Sequence, residues 1–199
     1  DHLPGAVNWL VLDDAERAEV GTLYTQTSTF EARKRGAALV SRNIAGLIEA
    51  HVAGRSRDWQ PLVYCWRGGQ RSGSLSLVLA QIGFRTRQLQ GGYKAFRAQV
   101  REDLASAPAQ FGWRVLCGRT GSGKTRLLGA LAEAGAQVLD LEGLAVHRGS
   151  VLGGLPGQPQ PSQKHFETQL WAALRRLDPA RPVFVESESR RIGRLQVPD

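Results

Sequence analysis

The chain contains no methionine and only two cysteines, Cys65 and Cys117, in 199 residues. So few cysteines exclude a disulfide-stapled scaffold and point to a reducing compartment, the cytoplasm. Lysine is scarce, present only as Lys34, Lys94, Lys124 and Lys164. No apolar run reaches the roughly 18 residues that a membrane-spanning helix needs, so no membrane association is expected. No internal repeat is visible, which argues against a solenoid.

What the chain does have is arginine. The net charge is +8, and its basic side chains are almost all arginines. Such an excess favours a polyanionic partner such as nucleic acid, because neutralised phosphates release their counterions. Arginine bias also follows from genomic base composition alone, so charge by itself leaves both readings open. The length suits one large domain or two small ones. The sequence starts without methionine and stops soon after a strand-like run and an arginine-rich turn, so it reads as a fragment truncated at both ends.

Apolar patterning gives alternating strands and helices in both halves, which predicts an α/β fold with parallel sheets. Helices are expected over Asp13–Val20, Thr29–Val52, Ser72–Ile82, Tyr93–Leu104, Lys124–Ala134 and Gln163–Leu177. Strands are expected over Pro61–Cys65, Thr86–Leu89, Trp113–Cys117, Gln137–Leu141 and Pro182–Glu186. The small, proline-bearing stretch Ala105–Gln110 is the linker candidate, dividing the chain into domains 1–107 and 108–199. Gly149–Ser162, rich in glycine and proline, reads as an irregular loop.

The first chemical motif is Cys65-Trp66-Arg67-Gly68-Gly69-Gln70-Arg71-Ser72, a loop between a strand and a helix. Gly68 and Gly69 let the backbone curl so that its N–H groups converge on one centre. The following helix adds its positive end. These amides, with Arg67 and Arg71, favour thiolate over thiol, which makes Cys65 a candidate nucleophile. Gly68, Gly69, Gln70 and Ser72 would cradle an oxyanion. A buried structural cysteine is the plainer reading, and the two glycines and two arginines downstream weigh against it.

The second motif, Gly118-Arg119-Thr120-Gly121-Ser122-Gly123-Lys124-Thr125, matches a P-loop in the strand–loop–helix setting the motif requires. Gly118, Gly121, Ser122 and Gly123 offer backbone amides to a diphosphate, Lys124 a point charge, and Thr125 a hydroxyl for Mg²⁺. Cys117, at the strand's end, reads as core. Two later segments end strands with charged groups, where open α/β sheets bind ligands. One carries Asp140, Glu142, His147 and Arg148; the other carries Glu186, Glu188 and Arg190. The acids can hold Mg²⁺ or position a hydroxyl, and His147 and Arg148 can meet phosphate or substrate. Helix-capping acids and solvated charges explain the same residues equally well, and the sequence fixes no metal-ligand set.

The cysteine loop resembles the active-site loop of rhodanese-type sulfurtransferases. His2-Leu3-Pro4-Gly5-Ala6-Val7-Asn8 and Leu89-Gln90-Gly91-Gly92-Tyr93 resemble that family's flanking segments. A Cys-x₅-Arg spacing also occurs in cysteine-dependent phosphatases, which usually carry His where this chain has Tyr64. Taken together, five segments in order resemble the tRNA 2-selenouridine synthase family: Cys65–Ser72, Gly91–Ala95, Gly118–Thr125, Asp140–Ser150 and Glu186–Gly193. The resemblance implies a rhodanese-like domain followed by a P-loop NTPase-like domain. It implies a transferase that replaces the sulfur of wobble 2-thiouridine with selenium from selenophosphate, through an S-geranylated intermediate made from geranyl diphosphate. Its implied partners are the tRNA anticodon arm and a selenophosphate-producing enzyme. The alternative is a rhodanese-type sulfurtransferase or Cys-x₅-Arg phosphatase fused to an NTPase module.

Overall fold

The structure is a computed structural model describing residues 1–119, 121–148 and 153–198. Contacts divide the chain into two compact units, one of Ala6–Phe96 and one of Asp1–Gly5 with Arg97–Asp199. The contact division falls within the helix Gly92–Ser106, ahead of the proline-bearing stretch. That stretch closes the helix and continues as a 3₁₀ turn over Ala107–Gln110, with Ala107 buried.

The Ala6–Phe96 unit begins with α1 (Asp14–Gln26), started by a capping box between Asp13 and Glu16. This helix runs past the expected end at Val20, through Gly21, and closes where the Thr27 N–H bonds the Leu23 carbonyl. α2 (Thr29–Leu47) is capped by Ser28 and ends in a wider π turn over Ile48–Val52. β1 (Leu62–Val63) and β2 (Arg87–Gln88) pair in parallel around α3 (Gln70–Ile82). Val11, Ile44, Val52, Leu75 and Leu79 form the core, with Trp9, Trp59 and Phe84 packed against it. α4 (Gly92–Ser106) follows β2.

In the C-terminal unit, β3 (Trp113–Leu116), β4 (Gln137–Leu139) and β5 (Val183–Glu186) form a parallel sheet in the order β3-β5-β4. Register places Leu116 beside Glu186, and Leu139 beside Val185, so the three strands finish at one edge. α5 (Lys124–Glu133), α6 (Leu141–Ala145) and α7 (Gln163–Leu174) complete the helices described here. Arg97 is buried, and its guanidinium pairs with Glu167 and bonds the Thr168 hydroxyl at 3.1 Å. An antiparallel hairpin, β6 (Arg191–Ile192) and β7 (Leu195–Gln196), occupies what the sequence suggests is only an arginine-rich turn. It folds because Gly193, at φ +59°, makes the turn, and because Ile192 and Leu195 are each buried to 1% exposure. The expected loop 149–162 is described from residue 153 onward. Its first four residues lie outside the described residues.

Phe166 on α7 is fully buried. Phe166→Ala is expected to cost about 3–5 kcal/mol, read as a lower urea midpoint; an unchanged midpoint would refute this placement of the core.

Candidate active site

The thiol site is built almost wholly from backbone. Cys65 follows β1, and the chain then turns through Gly68 at φ +66° into α3. The α3 cap is Gly69, which has no side chain to satisfy the helix's leading N–H groups. The Cys65 sulfur takes that place, facing the backbone N–H groups of Arg67, Gly69 and Ser72. The Ser72 hydroxyl also donates to Sγ, at 3.2 Å. Burial pushes the thiol's pKa up, but Ser72's hydroxyl and amide and the amides of Arg67 and Gly69 outweigh it. The result is about 7, against an ordinary 9.0.

This revises one expectation: Arg67 lowers the thiol's pKa through its peptide N–H rather than its guanidinium. Its side chain is exposed, and that of Arg71 is half-buried, so both charges stand at the rim. Trp66, also at the rim and 47% exposed, packs on Tyr93 with centroids 5.5 Å apart.

The loop is held from behind by Gly91 and Gly92, both with positive φ. The Tyr93 N–H bonds the Cys65 carbonyl, and the Lys94 N–H bonds that of Trp66, each at 2.9 Å. A Cβ at Gly92 would stand 2.2 Å from the Cys65 oxygen and 2.3 Å from the Gly68 nitrogen, so only glycine allows this approach.

A second site lies along the carboxyl edge of the β3-β5-β4 sheet. After β3, Gly121 and Gly123 adopt φ +81° and +85°, and Gly123 caps α5. Lys124 curls over the loop and donates to the Gly118 carbonyl at 3.0 Å. A Cβ at Gly118 would meet the Ser122 hydroxyl at 2.6 Å. Ser122 and Thr125 are exposed at the loop and helix start, while Thr120 lies outside the described residues. Cys117 is exposed rather than core, because β3 lies at the sheet's edge, where Val115 is also 53% exposed.

The acids after β4 and β5 do not act alike. Asp140 caps α6, accepting the Gly143 N–H at 2.8 Å. Glu142, Glu186 and Glu188 instead converge, with one oxygen from each within 4.8 Å of the others. Burial, a hydrogen bond with Glu188, and the charges of Glu188, Glu186 and Asp140 push Glu142 up to about 7. Glu186 is only 5% exposed, and its Oε1 has no hydrogen-bond partner among the described residues. His147 donates its peptide N–H to the Glu142 carbonyl at 3.1 Å, while its ring Nδ1 is buried without a hydrogen-bond partner among the described residues. Arg148 and Arg190 are exposed.

The sequence reading gives no role to Gln160. Its amide bonds the Ala145 and Ile192 carbonyls and accepts the Arg194 N–H, tying the end of α6 to the β6–β7 hairpin. No local pattern marks it, because its partners lie 15 to 34 residues away.

A P-loop after the first strand of a parallel sheet, facing acids at the ends of its neighbours, defines a P-loop-like α/β domain. Residues 111–199 match the family described as the tRNA 2-selenouridine synthase AAA domain. The whole chain is similar to tRNA 2-selenouridine synthases. It is 39% identical to that of Nitrosomonas europaea, over 99% of this chain and 52% of the relative. It is 41% identical to that of Sulfurovum sp. NBC37-1, over 98% and 53%. Half of it is also similar to the crystal structure of the N-terminal domain of a Clostridium difficile 630 protein described as binding ATP or GTP. That match has 36% identity, 78% coverage of the other chain and a TM-score of 0.44. The chain as a whole is similar to the tRNA 2-selenouridine synthases, and its residues 111–199 match the domain family. It spans about half the length of the curated relatives it matches.

With Cys117 replaced by serine, iodoacetamide alkylation of Cys65 is expected to rise through a midpoint near pH 7. A midpoint near 9 would refute the cradle. Because the folded pKa is depressed, the thiolate's contribution to stability is complete above pH 9 and is lost as pH falls through about 7.

Proposed function

We propose that this chain carries the reaction centre of a tRNA 2-selenouridine synthase. The sulfur of wobble 2-thiouridine is replaced by selenium from selenophosphate, through an S-geranylated intermediate. The observation that carries this reading is the combination of an amide-cradled thiol at about pKa 7 with a P-loop inside a tRNA 2-selenouridine synthase AAA domain.

The chemistry divides between the two loops. The P-loop, with Lys124, takes the diphosphate of geranyl diphosphate. The thiouridine sulfur attacks the geranyl carbon, the C–O bond to diphosphate breaks, and diphosphate leaves. Alkylation makes sulfur a better leaving group: the selenium of selenophosphate attacks uridine C2, the C2–S bond breaks and geranylthiol leaves, and water then cleaves the Se–P bond, releasing phosphate and leaving selenium on C2. Selenium comes from selenophosphate held at Cys65, whose cradle suits a tetrahedral oxyanion. Residues 1–107 are assigned as the rhodanese-like domain, supported by a parallel strand pair around α3 with the cysteine at a strand's end. Residues 108–199 are assigned as the P-loop domain. The partners are the tRNA anticodon arm, which the +8 charge favours, and a selenophosphate-producing enzyme, all in the cytoplasm. No described helix is long and apolar enough to cross a membrane.

Mg²⁺ fits the carboxyl edge. Glu186 offers a buried carboxylate oxygen that has no hydrogen-bond partner among the described residues, beside Glu142 and Glu188. Three carboxylates are the hard oxygen donors this ion prefers. Glu142, Glu186 and Glu188 would hold it, while Asp140 is occupied as a helix cap. Bound there, the ion would neutralise charge on a diphosphate. Glu186→Gln is expected to weaken binding of Mn²⁺, as a magnetic stand-in, by at least about tenfold, measured by electron paramagnetic resonance titration. Equal affinity would remove Glu186 from the site.

The function is tested by mass spectrometry of a 2-thiouridine anticodon arm, incubated with full-length protein, geranyl diphosphate and selenophosphate. Cys65→Ala is expected to abolish selenium incorporation, while Cys117→Ala retains most of it. Lys124→Ala is expected to suppress geranylation while leaving the Cys65 thiol reactive. Selenium incorporation that survives Cys65→Ala would overturn the assignment. A Cys65-dependent turnover of thiosulfate or phosphate esters, without selenium transfer, would favour the sulfurtransferase or phosphatase reading.

A further inference from the structure

We propose that Gln88 is a positioning residue for Cys65: its side-chain amide fixes the direction of two donors that face the sulfur, the Gly69 N–H and the Ser72 hydroxyl. The proposal rests on Cys65 being the nucleophile of the reaction above.

Gln88 ends β2, and its Nε2 donates to the Gly68 carbonyl at 2.7 Å and to the Ser72 Oγ at 2.9 Å. Exchanging the amide's oxygen and nitrogen would set oxygen against oxygen at the Gly68 contact, so the nitrogen's place is fixed. The Gly68 carbonyl and the Gly69 N–H belong to one planar trans peptide and point in opposite directions. Holding the carbonyl toward Gln88 therefore turns the Gly69 N–H the other way, toward Sγ. Both residues of this peptide are glycines, and Gly68 already sits at φ +66°, so side-chain sterics offer little resistance to a flip. A flipped peptide would aim a carbonyl oxygen at the thiolate.

Ser72 is held through the same amide. Its hydroxyl has one hydrogen and two acceptors within reach, Sγ at 3.2 Å and the Gly69 carbonyl at 3.1 Å. Accepting from Gln88 fixes a lone pair and leaves that hydrogen directed into the cradle. The Ser72 hydroxyl is the leading cause that lowers the Cys65 pKa, and the Gly69 N–H is a further one. Gln88 itself is exposed, so replacing it removes these contacts without opening the core.

The charged side chains on the cysteine loop, α3, β2 and the first turn of α4 are Arg67, Arg71, Arg87 and Lys94, and the nearby phenols are Tyr64 and Tyr93. None of these residue types ordinarily changes charge between pH 5 and 8, so a titration in that range reads the thiol.

The test is the pH profile of iodoacetamide alkylation in the Cys117→Ser background, comparing Gln88, Gln88→Leu and Gln88→Glu, with circular dichroism to verify folding. Both variants are expected to move the midpoint upward from about 7 toward 9.0. Gln88→Glu should move it at least as far, because a carboxylate cannot donate and adds negative charge. A first rise of one pH unit lowers the rate at pH 7 about fivefold, and a second lowers it about tenfold more. Ser72→Ala combined with Gln88→Leu should shift the midpoint by less than the two separate shifts added, because the residues act through one chain of bonds. An unmoved midpoint in both folded Gln88 variants would overturn the proposal, as would full additivity. Because the profile is read without selenophosphate or tRNA, its failure is distinct from a failure of selenium transfer.

Discussion

A Cβ on Gly92 would lie 2.2 Å from the Cys65 carbonyl oxygen, and the absence of that atom lets two turns of backbone close on each other. One turn carries the thiol, and the other starts α4 and supplies the Tyr93 and Lys94 amides that hold it. The reactivity of Cys65 depends on this contact, because the Ser72 hydroxyl and the peptide N–H groups around it act only when aimed. A loop free to move would average its N–H groups and leave an ordinary thiol. The site's electrostatics are therefore set by backbone packing more than by the charged side chains beside it.

The carboxyl edge of the other unit works with opposite sign. Lys124 and the glycine-rich turn gather donors, while Glu142, Glu186 and Glu188 gather acceptors at the ends of neighbouring strands. Register makes this happen: Leu116 beside Glu186 puts the last residue of β5 next to the strand that feeds the P-loop. Three carboxylates drawn together out of water cannot all stay charged at little cost, and Glu142 responds by holding its proton up to about pH 7.

Much of this was legible in the sequence. Glycine spacing and short apolar runs announce both loops, because each loop's chemistry requires backbone conformations that only glycine supplies. The alternation of strand and helix is legible because it rests on local apolar periodicity. What stayed hidden depends on partners distant in sequence. Ile192 and Leu195 show too short an alternation to declare a hairpin, and it takes Gly193 and the Gln160 network to make one. Gln88 reads as a polar residue near a strand's end until Gly68 and Ser72 are brought to it. Cys117 reads as core because it ends an apolar strand, and only the order β3-β5-β4 reveals that strand as an edge.

Val146 is the described non-glycine residue with positive φ, at 52°, where it stops α6. A β-branched side chain in that region costs on the order of 1–3 kcal/mol, which glycine or asparagine would largely avoid. The turn nevertheless delivers the His147 N–H to the Glu142 carbonyl and so steadies the peptide behind a buried acid. The strained residue lies in the same turn as Glu142 of the acidic cluster. A chain tuned for stability alone would have relaxed it, so in this turn the protein trades ruggedness for the placement of one carboxylate.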